Sequence, residues 1–321
     1  MPVVASAQAP PPAPAPTPDS PAVRALIDRA KAAGGPMWAE EVRFFCEAPR
    51  ANSPNDPPIA PSKIFDDVYA IGNTGTTAYV IRTSAGLVMI DALGANQVES
   101  VLLPGFAALG LDPAQVKAIL IGHGHADHFG GSAFMQERYG AKIYISAADW
   151  SLMENPPPAR GGAPGRGGPP PQPTPLPKHD QVIAEGQPIV IGNLTVTPVS
   201  IPGHTPGSMG FIFPVTDNGT RHMAALFGGT ILTPGIISDD GLKTYRTSVG
   251  RFKDATRAAN VDVEIQNHPL MDPIQTKLDR LRARTAGQPH PFVVGTAGYQ
   301  AFLDVMALCT DVNIARRQPP A

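Results

Sequence analysis

Three histidines and an aspartate crowd into one short stretch of the 321-residue chain, IGHGHADHFGG at residues 121–131. Within it, residues 123–128 spell His-x-His-x-Asp-His. Imidazole nitrogens and carboxylate oxygens are ligands that zinc accepts at about 2.0–2.2 Å. A single histidine here would suit a packing or capping role, but four such groups at this spacing indicate metal binding. Because they strain to meet around one tetrahedral ion, the pattern favours two neighbouring metals with further ligands from elsewhere.

The motif follows an apolar run, residues 116–121, that is typical of a β-strand. If the chain stays extended beyond this run, the first two histidines and the aspartate of the motif point to the same side, since strand side chains alternate. The last histidine then lies where the chain turns, and the pair Gly130–Gly131 permits a sharp bend.

Two other histidines are suited to complete such a site. His204 and His268 each follow a predicted strand, and α/β sheets place their sites at the carboxyl ends of strands. Glycines at 203 and 207 flank the first of them and allow close approach of the backbone. The remaining histidines are interpreted as surface or packing residues: His179 in a proline-rich loop, His222 in a predicted hairpin and His290 in a connection.

Predicted strands and helices alternate in both halves of the chain, which indicates an α/β domain whose helices cover its sheets. Period-two patterns bounded by turn residues predict the strands, and helical spacing with a terminal glycine predicts the helices. The predicted strands are 68–71, 78–82, 87–91, 116–121, 141–146, 181–183, 188–191, 194–201, 209–213, 223–227 and 261–266. The predicted helices are 23–33, 97–109, 132–139, 245–259, 273–285 and 296–317.

The charge balance argues against binding to nucleic acids or to membrane surfaces. The chain has 25 Lys and Arg residues against 27 Asp and Glu, a net charge of -2, and no basic run. This predicts neither a nucleic-acid partner nor a membrane-surface partner. The sequence contains no run of about 18 apolar residues, so it predicts no membrane-spanning helix. The two cysteines, Cys46 and Cys309, lie far from the histidines in sequence; whether they pair is left open.

Two segments rich in proline set the expected domain organisation. Residues 1–22 are expected to be a disordered Pro/Ala-rich segment, and residues 155–178 a Pro/Gly-rich loop inserted in a single domain over 23–321. The stretch ASAQA near the start has the small residues of a signal-peptidase site. It favours a periplasmic or secreted protein whose signal peptide is largely removed, and an ordinary disordered tail is the alternative.

Three motifs in this order, HGHADH, PGHTPGS and NHP, resemble the metallo-β-lactamase superfamily. The resemblance spans roughly residues 64–317 and includes FDDVYAIG and GLVMIDAL before the first motif. It implies a four-layered αββα sandwich and two zinc ions per chain. Members that resemble glyoxalases carry a bridging aspartate where this chain has Gly228–Gly229, and one lactamase subclass uses a cysteine that is not available here. The chain therefore resembles the third subclass of metallo-β-lactamases, whose closing helix is also similar to HPFVVGTAGYQAFLDVMALC.

The resemblance implies a ligand set and a reaction. A first zinc would be held by His123, His125 and His204, and a second by Asp127, His128 and His268. A zinc-bound hydroxide would attack the amide of a β-lactam, with Asp127 as the catalytic carboxylate as well as a ligand.

Other residues are assigned around this ligand set. Asp91 would either support the metal loop or cap the helix that follows it. Thr230 and Ser238 would bind the substrate carboxylate in place of the serines usual in this subclass, whereas Leu232 offers no hydroxyl there.

Several alternatives remain at this stage. The same fold hydrolyses lactones, esters and other amides, and a nuclease of the superfamily would require the basic surface that the sequence lacks. A different class is a non-catalytic protein that keeps its ligands because metal binding stabilises the fold. The expected partner is a small-molecule substrate, with neither nucleic acid nor membrane, and the oligomeric state is left open.

Overall fold

The structure is a computed structural model that describes residues 18–48, 53, 56–156, 173–232 and 237–318. Most of the expected disordered segment 1–22 and of the expected insertion 155–178 lies outside these residues. Where the first of them is described, it is already helical from Pro21. The side chain of Ser20 accepts a hydrogen bond from the backbone N–H of Val23 at 3.2 Å, and a proline suits the first helical position.

The secondary structure follows the predicted alternation closely. The strands are β1 Ser62–Lys63, β2 Val68–Gly72, β3 Thr77–Thr83, β4 Gly86–Ile90, β5 Val116–Leu120, β6 Lys142–Ser146, β7 Gln181–Ile183, β8 Ile189–Ile191, β9 Leu194–Ser200, β10 Met209–Asp217, β11 Thr220–Phe227 and β12 Val263–Glu264. The α-helices are α1 Pro21–Gly34, α2 Ala39–Val42, α3 Leu103–Ala108, α4 Ala126–Phe129, α5 Ser132–Tyr139, α6 Ala147–Glu154, α7 Asp239–Ala258, α8 Ile274–Ala283 and α9 Gly295–Arg316. Among these helices, none combines the length and apolar character that crossing a bilayer requires.

Two sheets organise the described strands. The first runs in sequence order from β1 to β7; its pairs are antiparallel up to β4 and parallel from β4 to β7. The second has the order β12-β11-β10-β9-β8 and is antiparallel except for the parallel pair β11–β12. The turn Asn218–Gly219 joins β10 to β11 with positive φ at both residues, as a two-residue hairpin turn of type I′ requires.

Three separate hydrophobic cores show that the molecule has four layers. In β5, Ala118 and Leu120 belong to the core between the sheets, whereas Ile119 belongs to a core shared with Phe106 of α3 and Met135 of α5. The third core packs the second sheet against α1, α7 and α9. The expected αββα sandwich is therefore confirmed, because β5 is buried on both of its faces.

The helix predicted at 97–109 is built differently. It consists of a 3₁₀ turn Ala95–Gln97, a π-helical segment Val98–Leu102 and the short helix α3. Pro104 supplies no backbone N–H for an α-helical hydrogen bond, and the residue before it bonds back to Val98 in the π pattern. The strand predicted at 261–266 is also shorter, because only Val263–Glu264 pair with β11.

A disulfide bond joins Cys46 to Cys309, which settles the pairing that the sequence left open. Cys46 lies in a π-helical segment after α2, Cys309 lies in α9, and both are buried. The bond holds the N-terminal helices against the last helix over a sequence separation of 263 residues.

Replacing both cysteines by serine should lower the free energy of unfolding by about 2–5 kcal/mol, because the unfolded chain gains the entropy of an open loop. Urea unfolding of the variant and of the oxidised wild-type protein measures the difference. Wild-type protein unfolded in the presence of a reductant should match the variant. Equal midpoints for the oxidised protein and the variant would contradict this role of the bond.

A second tie between the N-terminal helices and the sandwich is a group of buried charges. The ammonium of Lys277 lies 2.8 Å from Glu264 and 2.6 Å from Asp272. Glu41 of α2 is buried near them, so three carboxyl groups lie close to a single ammonium. Burial, together with the negative charge of Asp272, raises the pKa of Glu41 to about 9.

Glu41→Gln should stabilise the protein increasingly between pH 5 and pH 9. The raised pKa means that folding favours the protonated carboxyl group, a stabilisation that is complete below the ordinary pKa of 4.5 and is lost as the pH rises to about 9. The wild type should lose about 1.4 kcal/mol per pH unit from this group across that interval, and the glutamine variant should not. Urea unfolding at pH 5, 7 and 9 gives the slopes, with Glu40→Gln on the exposed side of α2 as the control. Parallel pH profiles of wild type and Glu41→Gln would refute the assignment.

Candidate metal centre

The His-x-His-x-Asp-His motif occupies the loop after β5 and the first turn of α4. The condition that the chain stays extended beyond Ile121 is not met. Instead the chain bends at once, His125 takes the N-cap position, and Asp127 and His128 belong to the helical turn Ala126–Phe129. The alternation of strand side chains therefore does not orient these ligands; the bend and the helix do.

A first group of donor atoms comes from His123, His125 and His204. Nε2 of His204 lies 3.1 Å from Nε2 of His123 and 3.1 Å from Nδ1 of His125. Tetrahedral ligands at zinc–nitrogen distances of 2.0–2.1 Å would be about 3.3 Å apart. The spacing and the donor chemistry therefore fit a metal ion such as zinc.

A second group adjoins the first. Nε2 of His128 lies 2.8 Å from Nε2 of His268, and the carboxylate of Asp127 lies 3.4 Å and 3.5 Å from these two nitrogens. His123 is also within 4.8 Å of the donor atoms of His128 and His268, so the two groups share a boundary. All six ligands expected from the sequence thus meet at one place.

Each of four imidazole rings is anchored through the nitrogen that faces away from the donor cluster. Such anchors fix the tautomer and orientation of a ligand ring and raise its basicity. The anchors are the backbone carbonyl of Gly228 for His123, of Ile231 for His204 at 2.7 Å and of Gly75 for His268 at 2.7 Å, and the carboxylate of Asp91 for His128 at 2.7 Å.

Asp91 supports the motif and does not cap a helix. Its second carboxylate oxygen accepts the backbone N–H of Gly122 at 2.8 Å, just before the first histidine of the motif. Asp91 leaves the end of β4 with a φ of 60°, a left-handed conformation unusual for a residue other than glycine. Two backbone hydrogen bonds stabilise this conformation: the N–H of Asp91 donates to the carbonyl of Leu120, and the N–H of Ala92 donates to the carbonyl of His128.

Gly130 and Gly131 matter for a different reason from the one expected. Both have ordinary helical φ values, so they do not supply a sharp bend. A Cβ on Gly130 would lie 2.4 Å from the backbone nitrogen of Ala95, and one on Gly131 would lie 2.3 Å from the carbonyl of Ala92. The glycines let the motif pack directly on the loop that carries Asp91.

Asp149, which has no distinctive motif in the sequence, connects the loop of His123 and His125 to the loop of His204. One carboxylate oxygen accepts hydrogen bonds from the backbone of Gly124 at 2.7 Å and from the hydroxyl of Thr205 at 2.7 Å. The other accepts the backbone N–H of Gly207 at 2.8 Å. The only sequence signal is an acidic residue three positions after Ser146, the N-cap of α6, which is a common capping pattern without metal-site meaning.

The protonation states of the imidazoles differ between the groups. Burial and the neighbouring rings hold the pKa values of His123 and His204 well below 6.5, and burial lowers that of His125. Burial and the ring of His128 lower the pKa of His268 to about 4. These four rings are therefore neutral at pH 7, which is the form that binds metals.

His128 differs from the other four imidazoles. Burial disfavours its charged form, but the carboxylates of Asp127 and Asp91 raise its pKa to about 10. In the metal-free protein its Nε2 carries a proton that must leave before this atom binds a metal. Burial opposes the ionised form of Asp127 as well, yet the adjacent His128 holds its pKa well below 3.8.

The residues expected to bind substrate do not present their hydroxyls to the cluster. Thr230 is fully buried, and its hydroxyl lies 3.1 Å from the carbonyl of Phe227 and 3.1 Å from the side chain of Gln266. The hydroxyl of Thr230 is therefore used inside the core, and its assignment to substrate binding stays a prediction. Ser238 accepts the backbone N–H of Gly241 at 3.0 Å and caps α7. Leu232 is buried in the core against that helix.

Gly228 and Gly229 leave no space for an aspartate. A Cβ on Gly228 would lie 2.1 Å from the carbonyl of Met209, and one on Gly229 would lie 2.8 Å from Cβ of His204. Backbone atoms would have to shift before a bridging carboxylate could be built at Gly228.

The three other histidines take part in packing or ion pairs, as expected. His179 stacks on Trp150 with ring centroids 4.3 Å apart, and His222 pairs with Asp262 at 2.6 Å. His290 is more buried than a surface residue: it stacks on Phe65 and bonds to the carbonyl of Ile64 at 2.7 Å.

Comparison with known proteins gives a consistent family. The model of the metallo-β-lactamase superfamily matches residues 71–217. Exodeoxyribonuclease WalJ of Streptococcus pneumoniae is 33% identical over 89 residues, which cover 27% of this chain and 31% of that protein. The chain thus spans about a third of that relative's length. A hydroxyacylglutathione hydrolase of Jannaschia sp. is 32% identical over 203 residues, covering 57% of this chain and 66% of that protein.

The solved structures extend this likeness over more of the chain. BJP-1, a subclass B3 metallo-β-lactamase of Bradyrhizobium japonicum, is 28% identical with a TM-score of 0.60. The superposition covers 76% of this chain and 90% of that protein. The likeness therefore includes most of the sandwich.

Asp149→Ala should weaken metal binding by the first group of donors about 10–100-fold, because the loops of His123 and His204 lose their common acceptor. Competition with a chromophoric chelator measures the zinc affinity. The three donors left unpaired should also lower the free energy of unfolding by about 1–3 kcal/mol. Asp262→Ala is the matched control, since that carboxylate also accepts from a backbone N–H, of Met223, and from an imidazole, but at the far end of β11. Wild-type zinc affinity in Asp149→Ala would contradict the role.

Proposed function

The chain contains a metallo-β-lactamase superfamily domain with a cluster of metal-binding side chains, and we propose that this metallo-hydrolase is a zinc-dependent β-lactamase of the third subclass. One observation carries the proposal. The two adjoining donor groups are built from histidine and aspartate alone, and the paired glycines at 228–229 leave no space for a bridging aspartate. The similarity to BJP-1 supports the same subclass.

The residues of the cluster would have two roles: some would bind the metals, and others would fix the orientation of these ligands. His123, His125 and His204 would hold one zinc ion, and Asp127, His128 and His268 another. Zinc bound there would lower the pKa of a water molecule toward about 7 and polarise a substrate carbonyl. The anchors on Gly228, Ile231, Gly75 and Asp91 keep the ligand rings from turning while charge develops on the substrate.

Asp127 is the acidic group of the cluster that remains accessible. About a third of its side chain is exposed, at 32%, whereas the side chains of His128 and His268 are buried. It is an ionised carboxylate at neutral pH and would accept a hydrogen bond from a water molecule beside it. It is thus proposed as catalytic residue as well as ligand.

A thioester, ester or lactone is the second candidate substrate. The relative named as a hydroxyacylglutathione hydrolase supports it, as does the burial of Thr230, the residue expected to anchor the carboxylate of a β-lactam. The metal centre and the attack on a carbonyl would be the same, so the two candidates differ only in how the substrate is held.

Zinc-loaded protein should hydrolyse a carbapenem or a cephalosporin, lose this activity with a chelator and regain it when zinc is restored. His204→Ala should lower kcat/KM by at least about 100-fold because a ligand of the first group is removed. His222→Ala, which alters an ion pair away from the cluster, is the matched control. Spectrophotometric assays on the wild type and both variants make the comparison.

The same assays include a hydroxyacyl-glutathione thioester and a lactone. Hydrolysis of one of these without turnover of any β-lactam would replace the first proposal by the second candidate. Two zinc ions per chain without hydrolysis of any of these substrates would favour a protein that keeps its metals for stability alone.

A further inference from the structure

One side chain lies between the two donor groups without belonging to either. Asn267 is fully buried directly before His268, and its amide nitrogen lies 2.8 Å from Oδ2 of Asp91. The same nitrogen lies 3.1 Å from the backbone carbonyl of Gly228. Asp91 anchors a ligand of the second group and Gly228 anchors a ligand of the first, so Asn267 touches the support of both.

We propose that Asn267 is a positioning residue that couples the two metal positions through its two amide hydrogens. The inference rests on the proposed metal centre. One hydrogen is donated to Asp91 and the other to Gly228, and these acceptors in turn hold the imidazoles of His128 and His123. A continuous chain of hydrogen bonds therefore runs from one donor group to the other, with the carboxamide at its centre.

The chemistry of this position requires an amide nitrogen. Both of its neighbours, a carboxylate and a carbonyl, accept hydrogen bonds and donate none, so only an NH₂ group satisfies them together. The other end of the side chain supports this orientation, because Oδ1 has no hydrogen-bond partner among the described residues. The carboxamide oxygen is thus a buried acceptor without a hydrogen bond, which is unfavourable, while the NH₂ group donates to both Asp91 and Gly228.

The amide of Asn267 is packed closely against its neighbours. Asp91 and His128 are fully buried, and a Cβ built on Gly122 would already lie 3.2 Å from the amide nitrogen of Asn267. The space around the amide is therefore close to filled. Loss of the two donors should leave the Asp91 carboxylate and the Gly228 carbonyl free to shift, and their imidazoles with them.

A simple packing role predicts a different outcome, and the chain offers a matched comparison. Asn313 is also buried, and its amide donates to two backbone carbonyls, those of Phe45 and Cys309, at 3.3 Å and 2.8 Å. It lies on α9 in the other part of the molecule. If Asn267 contributed only stability, its removal and that of Asn313 should affect unfolding alike and leave metal binding unchanged.

The experiment compares wild type, Asn267→Ala, Asn267→Ser and Asn313→Ala. Metal-free proteins are titrated with zinc against a chromophoric chelator, and with cobalt(II) while its visible absorption bands are recorded. Asn267→Ala should weaken both binding constants by about 10-fold or more and change the cobalt spectrum of both positions. Serine retains one donor and should fall between alanine and wild type; it also serves if the alanine variant does not fold. Asn313→Ala should keep both constants and the spectrum of the wild type.

Two failures are distinguishable. If wild-type protein binds two ions but Asn267→Ala keeps both constants, or loses only one of them, Asn267 does not couple the positions and the proposed function stands. If the wild type itself binds fewer than two ions, the proposed metal centre fails, and this inference falls with it.

Discussion

Five imidazole rings approach one another at one edge of the sandwich, three of them buried and two partly buried, and the rest of the site is arranged around this constraint. In the first group, ring nitrogens of neutral imidazoles lie 3.1 Å apart, close enough for one cation to bind both. In the second, the protonated Nε2 of His128 lies at hydrogen-bond distance, 2.8 Å, from Nε2 of His268. The cluster is tolerated because burial keeps four of the rings neutral and because four are fixed through their outer nitrogens. The cluster is therefore shaped as much by the groups that anchor its rings as by the rings themselves.

The anchors come from loops that the sandwich brings to one edge. Asp91 follows β4, the motif follows β5, His204 follows β9 and Asn267 follows β12. These strands belong to two different sheets, so the site depends on how the sheets pack face to face. Glycines at the contacts permit this packing, as where Gly122 and Gly228 meet backbone to backbone. Fold and site thus cannot be separated at this edge.

A different set of interactions secures the outer layer. The disulfide and the buried group around Lys277 both connect the N-terminal helices to the C-terminal third of the chain. Asp272 of that group lies four residues after the ligand His268. The segment that carries His268 is therefore held from two sides, by Asn267 toward the histidine cluster and by Asp272 toward the helices.

The sequence by itself determined the fold class and brought forward the six side chains that meet in the cluster. It could do so because ligand spacing, strand alternation and turn residues are local properties that can be recognised within a few consecutive residues. It did not indicate the burial of Thr230 or the helical turn after β5, since both depend on neighbours that are distant in sequence.

Only the tertiary structure decided which groups support the ligands. Asp91 meets His128 across 37 positions, Asp149 meets Gly207 across 58 and Asn267 meets Asp91 across 176, and the cysteines pair across 263. Asp, Asn and Cys at such separations carry no local pattern that predicts a partner. Their contacts exist because four layers pack in one order, and that order is a property of the whole chain.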